Sequence, residues 1–164
     1  MNSLACALMI LLLVPQTIGE VESHVDKKAD FTTLKTYAWS LGHDANDPRA
    51  HKAIVADVEA QMTALGFTKA PSAAADVFLT YFTVRGSEVD LKKLDQLKKE
   101  QKDPAGATRI LGRLGVGLSR PATRETLWSA VTRRRLSEDP AQWEGELKTA
   151  VAALFATYPG KKKG

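Results

Sequence analysis

The nine residues 76–84 read DVFLTYFTV, and nearly all of them are apolar or β-branched. In a strand with one face in water, polar and apolar residues alternate. A run without that alternation is typical of a strand that is covered on both faces. The stretch therefore predicts a buried strand in the middle of the chain, and the other elements can be placed around it.

An amphipathic helix is predicted upstream of this strand, over residues 48–65. Asn46 or Asp47 can cap its N-terminus, and Pro48 suits its first position, where the missing N–H costs nothing. Gly66 supplies the stop. The apolar residues that recur at three- and four-residue spacing are Ile54, Val58, Met62 and Leu65.

Strand-like segments occupy most of the remaining sequence. Two short β-prone stretches lie at residues 21–25 and 36–39, and two longer ones lie at residues 110–118 and 125–135. A closing helix is predicted to begin near Asp139. Its apolar residues on one side are Trp143, Leu147, Val151, Leu154 and Tyr158.

A charged segment separates the buried strand from the later ones. Leu91, Leu94 and Leu97 lie along one side of a predicted helix over residues 88–102, with lysines and acids elsewhere. The sequence therefore predicts a short helical insert at residues 85–108.

The order of elements is strand, strand, helix, strand, helical insert, two strands, helix. Two long amphipathic helices can cover one face of a sheet. We therefore expect an α/β (α+β) fold: a single two-layer domain over residues 20–160 with a mixed sheet of four to five strands. Two main amphipathic helices would cover one face, and residues 161–164 would form a basic tail.

The N-terminus has the layout of a secretory signal peptide. Residues 1–19 carry no charged side chain, and the apolar run 4–14 is too short to cross a bilayer. Pro15 and small or neutral residues up to Gly19 follow it, although no Lys or Arg precedes it. We predict export to the periplasm or outside the cell, or an inner-membrane tether if the signal is not cleaved.

The single cysteine, Cys6, lies inside that apolar run. A lipid-modified cysteine would have to follow the run, so lipidation is not predicted in this reading frame. A chain processed after Gly19 would have no thiol, which excludes a disulfide, a thiolate metal site and a cysteine nucleophile.

Positive charge is concentrated between residues 85 and 135, which hold thirteen basic and six acidic residues in a chain of net charge +4. Such a region can bind an anionic membrane surface or another envelope protein, or it can be a solvated face. The residues predicted for a partner surface are Leu91, Lys92, Lys93, Leu94, Leu97, Lys98, Lys99, Arg133, Arg134 and Arg135. Aromatic residues that would stack on bases are not interleaved with these cations, so nucleic acid is not an expected partner.

Several segments resemble a known family, and the sharpest is DFTTLKTYAW at residues 30–39. The other matching segments, in order, are residues 21–26, the helix with Ile54 and Val58, residues 65–67, 75–77 with Tyr81, 127–130, and Val151 to Pro159. Together they resemble the bacterial envelope family known as domain of unknown function 4136. The resemblance implies a small secreted protein or lipoprotein without assigned activity, and it carries no catalytic residues. The chain departs from the pattern in lacking a cysteine after the apolar run and in its charged 85–108 segment.

Two motifs contain residue types that could bind a metal or a nucleotide. His43, Asp44, Asp47 and His51 are candidate metal ligands, but Asp47 is better placed as a helix cap, and a solvated loop explains the cluster. The glycine-rich residues 112–117 match neither nucleotide-binding fingerprint, and a bulged or twisted strand explains them. No cofactor or metal is therefore predicted.

The sequence contains no Gly-x-Ser-x-Gly elbow or other catalytic constellation. We expect a secreted or periplasmic envelope protein that is a non-catalytic binding or structural module. The alternatives are a hydrolase-like enzyme of unrecognised type and a binder of anionic envelope surfaces through residues 85–135. The oligomeric state stays open at this stage.

Overall fold

The computed structural model describes residues 20–160 except 43, 136 and 138, with backbone alone for Arg109, Ile110, Arg135 and Pro140. The predicted signal peptide and basic tail lie outside the described residues. The strands are β1 (Val21–Val25), β2 (Thr36–Trp39), β3 (Thr68–Lys69), β4 (Val77–Val89), β5 (Thr108–Ser119) and β6 (Thr126–Arg135). The helices are α1 (Pro48–Ala64), α2 (Leu91–Lys99) and α3 (Trp143–Phe155), with short 3₁₀ turns at Ser72–Ala74, Pro104–Ala107 and Pro140–Gln142.

The strands form one mixed sheet in the order β1-β6-β5-β4-β2-β3. Neighbours are antiparallel from β1 to β4, whereas β2 runs parallel to both β4 and β3. The mixed α+β fold was predicted, but the expected number of strands, four to five, was too low. The strand that the sequence did not predict is β3, which has two residues and joins the edge of β2.

Helix α1 forms for the reasons that the sequence indicates. The Asp47 carboxylate accepts hydrogen bonds from the backbone N–H groups of Arg49, at 2.8 Å, and Ala50, at 3.3 Å. These bonds satisfy donors that have no partner inside the helix. The residues that α1 buries are Ile54, Val58 and Met62.

The segment between β4 and β5 differs from the predicted insert. β4 continues past Val84 to Val89 and pairs with β5 from Thr108 onwards, so only Leu91–Lys99 is α-helical. The prediction of a helical segment over residues 85–108 was wrong at both ends because backbone pairing with β5 extends the strand without an apolar pattern. We call residues 86–111, two paired strand ends joined by α2, the hairpin arm.

The core lies between the sheet and the two long helices. Trp128 packs there against Phe155 and Tyr158, and its ring centroid lies 5.3 Å from that of Phe155 and 5.4 Å from that of Tyr158. Phe67, just after α1, contacts Tyr158, just after α3, at a centroid distance of 6.1 Å. The C-terminal ends of the two helices therefore meet at one end of the sheet. In the part of the chain that the structure describes, no helix has the length and apolarity needed to span a membrane.

Candidate functional site

A cleft of about 590 Å³ opens at the end of the sheet opposite the aromatic core. The N-terminal halves of α1 and α3 form one side of it, and β4, β5 and β6 form the other. Its apolar lining comes from Ile54 on α1, Leu114 on β5, and Trp143, Leu147 and Ala150 on α3. A volume of several hundred cubic ångströms with a mostly apolar lining is typical of small-molecule sites.

The sheet side of the cleft is set by the strand register. Arg85 of β4 and Arg134 of β6 are both paired with Gly112 of β5. The next row inward places Leu114 between Thr83 and Thr132. Residues two apart in a strand share a face, and Leu114 belongs to the core on the helix side. The row Arg85–Gly112–Arg134, which we call the arginine row, therefore faces the cleft.

The arginine row has a gap at its centre. Neighbouring strands lie about 4.8 Å apart, so the two arginine Cα atoms are separated by roughly 10 Å. Gly112 contributes no side chain between them. Arg134 donates through Nη1 to the backbone carbonyl of Glu146 at 2.7 Å, while Arg85 is exposed and has no ion pair or hydrogen bond to the side chain of any described residue.

The loop before α1, residues 44–47, also lines the cleft. The side chain of Tyr81 holds this loop in place. The hydroxyl of Tyr81 accepts a hydrogen bond from the N–H of Ala45 at 3.1 Å and also contacts Nδ1 of His51. At Gly42 the loop passes so close to the sheet that a Cβ atom would lie 2.2 Å from the carbonyl oxygen of Tyr81. Only glycine fits this approach without moving the backbone.

The Asp44, His51 and Tyr81 side chains do not form a catalytic relay. In such a relay the acid and the nucleophile engage opposite nitrogens of the imidazole. Here Asp44 lies 3.9 Å from Nδ1, the same nitrogen that contacts Tyr81. Burial also raises the pKa of Tyr81, which keeps its hydroxyl protonated. This arrangement anchors the loop.

The acidic groups of the cleft already have partners. Hydrogen bonds from the N–H groups of Arg49 and Ala50 lower the pKa of Asp47. Glu146 accepts from the N–H of Ser137 at 3.4 Å. The acids therefore lie on the loop and helix side of the cleft, and the arginine row lies on the sheet side.

The residues predicted for a partner surface do not lie together. On α2, Leu91 is 70% exposed, Lys92, Lys93, Lys98 and Lys99 are exposed, and Leu94 and Leu97 are half-buried. Arg133 is exposed on the sheet face without helices and lies 3.8 Å from Glu88. Arg134 points to the opposite face, into the cleft, and for Arg135 only the backbone is described.

The other motifs have structural roles. Asp47 is the α1 cap, and the described residues contain no group of three or more candidate metal ligands; His43 is outside the described residues. The glycine-rich segment 112–117 lies inside β5, with a register shift directly after it at Leu118/Ser119. Sequence reasoning missed the cleft, because its lining comes from five segments that only the strand register and helix packing bring together.

The molecule is an open-sheet, two-layer α+β domain with a cleft at one end. The model of the family described as "Domain of unknown function (DUF4136)" matches residues 21–160. The chain therefore belongs to this family, and the predicted resemblance is confirmed. No curated protein matches the chain significantly.

Two solved structures are similar in fold. A PDZ domain protein from Parabacteroides distasonis is 17% identical, with a TM-score of 0.60 over 90% of this chain and 37% of that chain. The present chain thus spans little more than a third of that protein. PelC from Paraburkholderia phytofirmans, solved as a dodecamer, is 14% identical, with a TM-score of 0.53 over 85% of this chain and 96% of that chain. At these identities the likeness concerns the fold alone.

Proposed function

We propose that the chain is an exported protein of the bacterial cell envelope whose domain binds a ligand in the cleft without transforming it. The observation that carries the proposal is the cleft itself, which combines an apolar lining with two arginines, Arg85 and Arg134, that make no ion pair with a described residue. A binding site needs shape and a few oriented polar groups. An enzyme needs, in addition, a nucleophile, acid or base that is free to react.

The polar groups around the cleft support a non-catalytic role. The His51–Tyr81 pair holds a loop, and the Asp47 carboxylate caps α1. Neither is left free for proton transfer to a ligand. The hydrolase alternative would require one of these groups, or Glu146, to change partners on binding.

Turnover assays test this proposal directly. The purified protein should show no hydrolysis of ester, phosphate, peptide or glycoside substrates above a blank. Reproducible turnover that disappears in H51A or E146Q would contradict the binding proposal and establish the enzyme alternative. As a control, H24A changes a histidine on β1, away from the cleft.

Export is proposed from the leader-like sequence of residues 1–19. A reporter fused after Gly19 should appear outside the cytoplasm, with a new N-terminus near Glu20. A control fusion with Leu11 and Leu12 changed to Lys should stay in the cytoplasm, because charges interrupt the apolar run. An intact N-terminus recovered from the cytoplasm would contradict export, and an intact one in the membrane fraction would indicate a tether.

The hairpin arm supports a second candidate function, binding to an anionic envelope surface. Leu91 is 70% exposed and Val89 is 47% exposed. Four exposed lysines of α2 follow them in the chain. Exposed apolar side chains in a segment that also carries exposed lysines suit the interface of an anionic bilayer. Sedimentation with anionic vesicles should then weaken with added salt and with Lys92, Lys93, Lys98 and Lys99 changed to Gln.

A charge-matched variant makes the vesicle test specific. Lys27, Lys28, Lys35 and Lys52 are also exposed but lie outside the arm. Changing these four to Gln should leave vesicle binding in place. Equal losses in both variants would show a general charge effect and would contradict a specific role of the arm.

Assembly of several copies is a further part of the proposal. The PelC structure of similar fold is a dodecamer. We propose that the present chain also assembles into an oligomer. Native mass spectrometry of the purified protein gives the number of copies directly. A monomer at all concentrations tested would contradict assembly and leave the cleft proposal unchanged.

A further inference from the structure

We infer that the cleft binds an amphipathic anion, whose carboxylate or phosphate head group lies between Arg85 and Arg134 and whose apolar body lies on Leu114, Leu147 and Trp143. The inference rests on the proposed binding function and names its ligand class. Its basis is the arginine row, in which two cations flank a position without a side chain.

The two arginines have unused hydrogen-bonding capacity. A guanidinium has five N–H donors in a planar fork that matches a carboxylate or phosphate. Arg134 uses one donor on the carbonyl of Glu146, which fixes the side chain beside α3. Arg85 makes no ion pair with any acid in the described ranges. An anion at this position would receive charge-assisted hydrogen bonds from both residues.

The acids of the cleft do not neutralise the arginines. Asp47 is held by two backbone N–H groups, Glu146 accepts from Ser137, and Asp44 is exposed to solvent and lies 3.9 Å from His51. All three belong to the loop and helix side. The cationic side of the cleft is therefore the sheet, and a negative head group would contact it there.

Gly112 makes room for the head group. Further along the same face of β5 the side chains are large: Leu114, Val116 and Leu118 are core residues. Gly112 lines the cleft between the two arginines and has no side chain. A glycine inside a strand weakens it, and here it places no side chain in the way of a head group.

The interior of the cleft is apolar. Behind the arginine row lie Leu114 on the sheet and Ile54, Leu147 and Ala150 on the helices. Trp143 and Leu147 are half-buried, so they present apolar surface to a ligand. Burying an alkyl or aromatic body there contributes roughly 25 cal/mol for each Å² removed from water. The ligand therefore needs an apolar part as well as a negative end.

Three probes of equal chain length separate the requirements. Calorimetric titration of the purified protein with dodecanoate, dodecyl phosphate and dodecanol, each below its micellar concentration, measures the role of the head group. We expect binding of one or both anions, and binding of dodecanol that is at least about tenfold weaker, since a charge-assisted contact contributes more than about 1.4 kcal/mol. The stronger of the two anions identifies the head group as carboxylate or phosphate.

Variants place the head group at the arginine row. R85Q and R134Q should each weaken binding of the preferred anion about tenfold. G112V places a side chain between the two arginines and should weaken binding as well, without removing charge. R133Q is the matched control: it removes the same charge from the next residue of β6, which faces the other side of the sheet, and should change affinity less than about twofold. R85Q keeps the test decisive if R134Q, which loses its bond to α3, does not fold.

The outcomes distinguish this inference from the proposed function. Equal binding of dodecanol and the anions, or equal effects of R85Q and R133Q, would overturn the anionic ligand class while the cleft remained a binding site. Absence of binding by all three probes would also overturn it. The proposed function itself is judged separately, by the turnover and export experiments.

Discussion

Gly115 is a position where a missing side chain makes room for an aromatic ring. It is the register partner of Phe82 on the sheet face without helices. A Cβ atom at Gly115 would lie 2.2 Å from Cε1 of the Phe82 ring. The ring therefore covers the glycine backbone, and any larger residue must displace it.

G115A should consequently destabilise the protein. We expect a loss of about 1 to 3 kcal/mol in the free energy of unfolding, as for overpacked sites, measured by urea denaturation. G117A is the control two residues along the same face of β5, where a Cβ would make an ordinary contact at 3.5 Å with Thr80 Oγ1. If the G115A loss persists in an F82A background, contact with the ring is not its cause.

Tyr158 is a second position with a clear expectation. Its hydroxyl is buried and has no hydrogen-bond partner among the described residues, and burial raises its pKa to about 12. Because the pKa of the folded state exceeds the ordinary value of 10, the neutral form stabilises the fold below pH 10. That contribution falls as the pH rises toward 12.

Y158F removes both the buried hydroxyl without a partner and its ionisation at high pH. At pH 7 the variant should be more stable than the parent by about 1 kcal/mol, because an unsatisfied buried hydroxyl is lost. Urea denaturation at pH 8 and pH 11 should show an alkaline loss in the parent that is smaller in Y158F. Lower stability of Y158F at pH 7 would mean that the hydroxyl has a partner in solution. Y37F offers a comparison at another buried tyrosine of the core.

At the scale of elements, the hairpin arm is separable from the core. α2 has no buried residue and packs on the 3₁₀ turn Pro104–Ala107 within the same arm. The arginine row lies just before the arm begins, because Arg85 pairs with Gly112. The arm should therefore be removable without loss of the cleft.

Replacing residues 87–110 by Asn-Gly tests this expectation. The dipeptide favours a tight hairpin turn and joins Gly86 to its partner Leu111. The shortened protein should unfold cooperatively, with a free energy of unfolding within about 1 kcal/mol of the parent, since few tertiary contacts are lost. Circular dichroism during thermal unfolding measures this, and a molten or insoluble product would show that the arm supports the core.

The sequence predicted the elements that have a recognisable residue pattern of their own. The spacing of Ile54, Val58 and Met62, with Pro48 at the first turn, is sufficient for α1. The extension of β4 beyond Val84 was missed because its residues, RGSEV, have no strand pattern of their own and are held by pairing with β5. β3 is too short to leave any pattern in the sequence.

At the scale of the whole molecule, the cleft couples the two layers. Its lining comes from α1, α3 and three strands, so a ligand there contacts elements that must separate on unfolding. No sequence pattern could predict this site, because Arg85, Gly112 and Arg134 are brought into one row only by the register of three strands. The charge excess in residues 85–135 indicated a basic region without showing that Arg133 and Arg134 lie on opposite faces.

A bound ligand should accordingly stabilise the entire domain. At a free concentration 100-fold above Kd, the preferred anion should add about 2.7 kcal/mol to the free energy of unfolding. Differential scanning fluorimetry should show a rise in Tm with anion concentration that is smaller in G112V. A rise of the same size in G112V would place the binding elsewhere on the protein.

The position of β1 has a consequence for the order of folding. β1 lies at the edge of the sheet and pairs with β6, so that Val21 lies opposite Thr132, more than a hundred residues later. Closing so long a loop is slow, and β1 has no place in the sheet until the ribosome has made β6. The residues of β1 therefore stay unpaired through most of synthesis, and the sheet is completed only when nearly the whole domain has been made.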